Sequence, residues 1–152
     1  MRGAREQTHK GRSMTVAKRE DGTLVPKRER RMALRILKAA RKLISKPENW
    51  TRFAPARDIS GRPVAPISSD ACMFCASGAV ERAAISCSKK ASYLLFERGN
   101  RYLNLALRRR KRSTDAALDH YVAFNDHSAT THKDILSLFD SAIKQAEKEL
   151  AL

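Results

Sequence analysis

The sequence predicts an all-α protein: a compact bundle of about five helices behind a basic, flexible N-terminal arm. Three observations carry that expectation. Apolar residues recur at helical spacing in several separate segments. Capping residues and a proline stop mark the ends of those segments. Alternating apolar and polar runs, the sign of half-buried strands, are scarce, and no internal repeat is present.

Residues 1–26 have little periodicity. Gly3, Gly11, Gly22, scattered charge and Pro26 suit a mobile arm, which we delimit as residues 1–28, ahead of a helical domain over 29–152. Asp21–Gly22 can turn a short hairpin there, although two strands alone are marginal.

Residues 27–46 give the clearest helix. Met32, Ile36, Leu37, Ala40, Leu43 and Ile44 form one face, and Arg31, Arg35, Lys38, Arg41 and Lys42 fill the rest. Pro47 stops it, because proline lacks an N–H and restricts the residue before it. Residues 47–67 form a connector whose four prolines exclude a long helix. Its Trp50, Phe53, Ile59, Val64 and Ile67 argue that it packs on the core, with a hairpin turn at Ser60–Gly61.

Residues 68–86 read as a second helix, capped by Ser68 or Ser69. Ala76, Gly78, Ala79, Ala83 and Ala84 leave one of its surfaces nearly bare, ready for a close neighbour. Residues 88–111 form a third helical region that Gly99–Asn100 is positioned to interrupt. A fourth helix runs from a cap at Ser113 or Thr114 to Phe124, with Leu118, Tyr121 and Val122 inward. The last spans 131–151 on a stripe of Ile135, Leu138, Phe139, Ala142, Ile143 and Ala146. Thr131 and Asp134 have the spacing of a capping box, while Asn125–Asp126 suit the preceding turn. Capping leaves His132 without a task.

Charge bounds the function. The chain of 152 residues holds 31 Lys+Arg and 16 Asp+Glu, a net charge of +15. Residues 1–46 contain 15 basic and 4 acidic residues, so most of the excess lies at the front. Such a surface attracts polyanions, above all nucleic acid or nucleoprotein. The expected contacts are Lys27, Arg28, Arg30, Arg31, Arg35 and Lys38, joined by a second patch at Arg108, Arg109, Arg110, Lys111 and Arg112. No apolar run is long enough to cross a membrane, and no signal-peptide h-region follows the start. Three clustered cysteines do not form a secreted disulfide framework. The expected setting is the cytoplasm, without cofactor or metal.

Two sharper site chemistries stand beside that expectation. Cys75 near a helix start, with His132 and Asn125 or Asp126, has the residue types of a thiol hydrolase or transferase. Cys72 and Cys75, with Cys87 or His132, have the types of a zinc site, but the second ligand pair is missing.

The order of a basic amphipathic helix, P-E-N-W, D-x-x-G-R-P-V, C-A-S-G-A, then F-N-D and T-T-H-K-D-I-L, resembles an uncharacterised bacterial and phage family of unknown function. The resemblance runs from about Met32 to Ala146. Cys75, Ala76, Gly78, Ala79, Asn125, Asp126, Thr131 and His132 occupy its C-A-x-G-A and N-D…T-H positions. It implies a shared fold and no particular activity. The reading is thus a small non-enzymatic protein that binds a polyanion. The alternatives are a protein-interaction module modulating host machinery, or a thiol enzyme.

Overall fold

The computed structural model describes residues 15–110 and 120–152. Within them the chain runs through α1 (Lys27–Leu43), a 3-10 turn (Pro47–Asn49), β1 (Ala56–Arg57), β2 (Pro63–Val64), β3 (Met73–Phe74), α2 (Ala76–Cys87), α3 (Ser92–Arg110), α4 (Tyr121–Asp126) and α5 (His132–Leu150). Helices dominate, as the periodicity requires. Helix α1 packs on α2, α3 and α5, and α3 in turn packs on α2 and α5. One apolar core results, centred on Ile36, Leu37, Val80, Leu103, Tyr102 and Phe139.

α1 starts and stops within a few residues of expectation. Ala33, Ile36, Leu37 and Ala40 are buried on its inner side. Arg41 holds both carboxylate oxygens of Asp140, at 2.6 and 3.1 Å, and so ties the outer edge of α1 to α5. The Ser60–Gly61 hairpin is present: β1 pairs antiparallel with β2, Gly61 takes φ +83°, and Asp58 accepts from the amides of Ser60 and Arg62.

The second helix begins later than its sequence suggests. Residues 68–75 are not helical. The Cys72 and Cys75 amides donate to the Arg57 and Pro55 carbonyls, and Met73–Phe74 pair with β1 as a third strand. These long-range bonds occupy the amides that would open a helix, so Cys75, not Ser68 or Ser69, is the N-cap. The bare surface of α2 has an unexpected neighbour. A Cβ on Gly78 would collide with the Pro55 carbonyl, so the connector backbone lies against that glycine. Gly78→Ala displaces the carbonyl that holds the Cys75 amide and is expected to cost about 3 kcal/mol, read as a fall in the urea midpoint.

α3 is continuous through Gly99–Asn100. A Cβ on Gly99 would sit 2.8 Å from Val80 Cγ1, so this glycine serves helix–helix approach and does not interrupt the helix. The expected cap at Ser113 or Thr114, and Leu118, lie outside the described residues. What is described of the fourth helix is six residues, capped by the His120 ring, whose Nδ1 accepts from the Val122 amide at 3.2 Å.

The second half of the expected arm is folded. Residues 1–14 are outside the described residues, but residues 15–26 fold onto the bundle. Lys18 bridges Leu24 around the turn at Asp21–Gly22, where Gly22 takes φ +83°. Val16, Ala17 and Val25 are buried. The buried Glu149 carboxylate holds this segment to α5, accepting from the Thr15 hydroxyl at 2.8 Å and the Val16 amide at 2.9 Å. The same carboxylate accepts from Tyr102 Oη at 2.7 Å. The hairpin is therefore stabilised by α5 and does not stand alone.

Candidate functional site

The motif residues of the late sequence converge at one polar corner, where the end of α4, the start of α2, the connector and the start of α5 meet. Asn125 is its hub and is buried. Its Oδ1 accepts from Trp50 Nε1 at 2.8 Å and from the Ala76 amide at 3.0 Å. Its Nδ2 donates to the Thr51 carbonyl at 3.2 Å and to Asp126 Oδ1 at 3.0 Å. All the usual bonds of a carboxamide are thereby made. Asp126 Oδ1 also accepts from the Phe53 amide at 2.9 Å. That bond holds Phe53 at φ +65°, a conformation a phenylalanine rarely adopts.

Arg52 closes the corner. Its guanidinium lies 4.6 Å from the centre of the Trp50 ring, and it donates to the carbonyls of Asn125 and Thr130. Trp50 is thus an anchor between strand, loop and helix, not a free stacking surface.

Thr131 and Asp134 form the full capping box: the Asp134 amide donates to Thr131 Oγ1 at 3.1 Å, and the Thr131 amide to Asp134 Oδ2 at 2.9 Å. Hydrogen bonding from the Thr131 amide, with Arg110 nearby, holds the Asp134 carboxyl below its ordinary range. His132 has a task that capping did not explain. Its Nε2 lies 2.7 Å from the carbonyl of Ile44, the C-cap residue of α1. A carbonyl only accepts, so Nε2 carries the proton. The ring satisfies an orphan carbonyl at the end of α1 and stitches α5 to it.

The structure gives Cys75 a structural task. Cys75 is buried, and its Sγ accepts from the Gly78 amide at 3.3 Å as a helix cap. Burial pushes the thiol up from its ordinary value, and the Asp126 carboxylate adds to the rise against the pull of the Gly78 and Ser77 amides. Among the described residues no hydrogen bond joins Cys75 to His132, and Asn125 and Asp126 are spent on structure. A nucleophile needs the opposite arrangement: a lowered pKa and a base in reach. In native protein, iodoacetamide is expected to modify the half-buried Cys72 and Cys87 well before Cys75, as peptide mapping would show. The zinc set does not assemble either. Cys72 lies just before β3, its Sγ 3.7 Å from the Arg57 carbonyl, and no three potential ligands converge among the described residues.

The basic candidates divide into three groups. Arg30 is the correction: it is buried, donating to the Val25 carbonyl at 3.0 Å and the Glu149 carbonyl at 2.6 Å, and so joins the folded hairpin to α1 and α5. It turns inward to those two carbonyls. A second group is exposed but engaged. Lys38 pairs with Glu147 at 3.1 Å, Arg109 donates to Gln145, and Arg110 pairs with Asp134 at 2.9 Å across the face of Phe124. Lys111 and Arg112 lie outside the described residues.

The third group is exposed and unpaired among the described residues: Lys27, Arg28, Arg31 and Arg35, with Arg108 on α3. Lys42 belongs with them, although sequence analysis assigned it only to the outer arc. Arg28, Arg31, Arg35 and Lys42 are three, four and seven residues apart, which places them along one side of α1 over about 21 Å. The single acid of α1, Glu29, is drawn off to Arg19 and Arg98. Nothing on the helix compensates the line.

Beside this line α1 and α2 enclose a groove of about 550 Å³. Nothing in the local sequence pattern marks it beyond the run of small side chains on α2, of which Ala83 lines it.

A small helical bundle with a cationic helix face is the class that these features define. The chain belongs to a family of unknown function, DUF6197, whose model matches residues 29–145. Neither the curated proteins nor the solved structures provide a match. No helix among the described residues is long and apolar enough to cross a membrane.

Proposed function

We propose that this protein is a non-enzymatic nucleic-acid binder of the cytoplasm, which neutralises phosphates along the exposed side of α1. The observation that carries the reading is the uncompensated line Arg28, Arg31, Arg35 and Lys42, with Arg108 and the basic residues 1–14 as reserves of charge. Contacts of this kind position a backbone without reading sequence. Each neutralised phosphate releases counterions, so affinity for duplex falls with salt at a log–log slope of about −4 for four contacts. The test is duplex binding from low to moderate salt, for the full chain and for a chain lacking residues 1–14. The hairpin at 15–26 stays, because it is part of the fold. A slope near −4 that survives the deletion places the grip on α1. No binding at low salt overturns the reading.

A second reading draws on a different surface. Phe53, Ile59 and Ile67 of the connector are 76%, 90% and 58% exposed. Apolar side chains at loop positions suit a protein partner, such as host machinery if the chain is phage-encoded.

A further inference from the structure

The groove between α1 and α2 shares two residues with the cationic line. Arg35 and Lys42 stand on its α1 side, and Arg82 stands on its α2 side. No carboxylate lines it. Its floor is apolar, made by Ile36, Leu43 and Ala83. A volume of about 550 Å³ falls in the range of small-molecule sites.

Three features go beyond charge. Arg82 is fixed in advance: its Nη1 donates to the Pro66 carbonyl at 2.7 Å and the Ser68 carbonyl at 2.9 Å, which leaves its other nitrogens and its flat face uncommitted. Asn49 and Ser86 also line the groove. Neither side chain hydrogen-bonds elsewhere among the described residues. The occupant that fits carries negative charge, a flat apolar body, and an edge that can donate and accept. It must also continue onto the line outside, since Arg35 and Lys42 belong to both.

We propose that the groove takes one unpaired nucleobase, so that α1 grips single-stranded nucleic acid in preference to duplex. This rests on the nucleic-acid reading above and names its substrate class. The phosphates on either side of the base meet Arg35 and Lys42. The base lies on the aliphatic floor against the Arg82 plane, a stacking partner that unpaired bases accept. Asn49 and Ser86 face its edge. In a duplex the bases are stacked inward and present no face to such a groove.

Fluorescence polarisation with a labelled twelve-nucleotide single strand and with the same sequence as duplex tests the proposal at one fixed salt. The native chain is expected to bind the single strand about tenfold more tightly, the factor one well-held base supplies. Ala39→Phe and Ser86→Phe each fill the groove from an exposed position on opposite walls. Both are expected to bring single-strand affinity down to the duplex value while duplex affinity and its salt slope stay unchanged. Circular dichroism confirms that each variant is folded. Equal affinity for the two probes in the native chain overturns this inference and leaves the phosphate-binding reading intact. A single-strand preference that persists in both variants also overturns it. If neither probe binds at low salt, both readings fall, and an acidic peptide with one apolar anchor becomes the occupant to try.

Discussion

Asn125→Ala is expected to lower the unfolding free energy by about 4 kcal/mol. The substitution removes the one acceptor shared by the Trp50 indole and the Ala76 amide, and the donor that serves the Thr51 carbonyl. Two N–H groups, one buried and one part-buried, lose their partner, and each costs on the order of 1–3 kcal/mol. The loss falls on the junction of connector, α2 and α4, not on one element. For a chain of this size it corresponds to a drop of roughly 12 °C in melting temperature. Asn125→Asp is expected to be intermediate. It keeps the acceptor for Trp50 and Ala76, but it loses the Nδ2 donor and sets a carboxylate beside Asp126. Urea unfolding followed by tryptophan fluorescence reads both, since Trp50 is the single tryptophan. A change below about 1 kcal/mol for Asn125→Ala would mean that the hub is not what holds the corner.

The second large effect concerns binding. Arg31→Glu combined with Arg35→Glu replaces two unpaired cations by anions at the middle of the line. Both side chains are exposed, and neither makes an ion pair among the described residues, so the fold is expected to be unaffected. Duplex affinity is expected to fall about a hundredfold at low salt, and the slope against log salt to flatten by about 2, one contact for each charge removed. The same double reversal at Lys38 and Arg41 is the informative control. Those side chains already pair with Glu147 and Asp140. Their loss is expected to weaken binding less and to destabilise the α1–α5 seam slightly, because exposed pairs contribute at most about 1 kcal/mol each.

Features with local causes were legible in the sequence. Apolar spacing and Pro47 locate α1 to within a few residues. Asp58 and Gly61 locate the hairpin, and Thr131 with Asp134 locates the start of α5. In each case the residues that decide the structure lie within a few positions of the element. Features with distant causes were not legible. The delayed start of α2 follows from pairing with β1, whose partners lie fifteen or more residues back. Gly99 looks like an interruption until Val80 is seen against it. Arg30 looks like one more surface cation, because its partner carbonyl at Glu149 is 119 residues away. His132 is the clearest instance. Capping explains its neighbours, and only the end of α1, 88 residues earlier, explains the ring itself.

The candidate site divides along the same line. The cationic side of α1 was legible because charge and helical spacing are both properties of one segment. Which of its cations are free was not: Arg30 is buried, Lys38 is paired, and Lys42 is exposed. Residue types at Cys75, Asn125 and His132 suggested chemistry, yet the geometry uses each as a structural cap or hub. Polar residues gathered at helix ends carry the same signature whether they react or stitch, and burial with fixed partners separates the two.

The most direct test of the central claim is a titration of isotopically labelled protein with a short oligonucleotide, followed by amide chemical shifts at low and at moderate salt. Shifts are expected along the exposed side of α1, at Arg28, Arg31, Arg35 and Lys42, and are expected to fade as salt rises. Shifts confined to the connector around Phe53, Ile59 and Ile67, or none on α1, would contradict that claim.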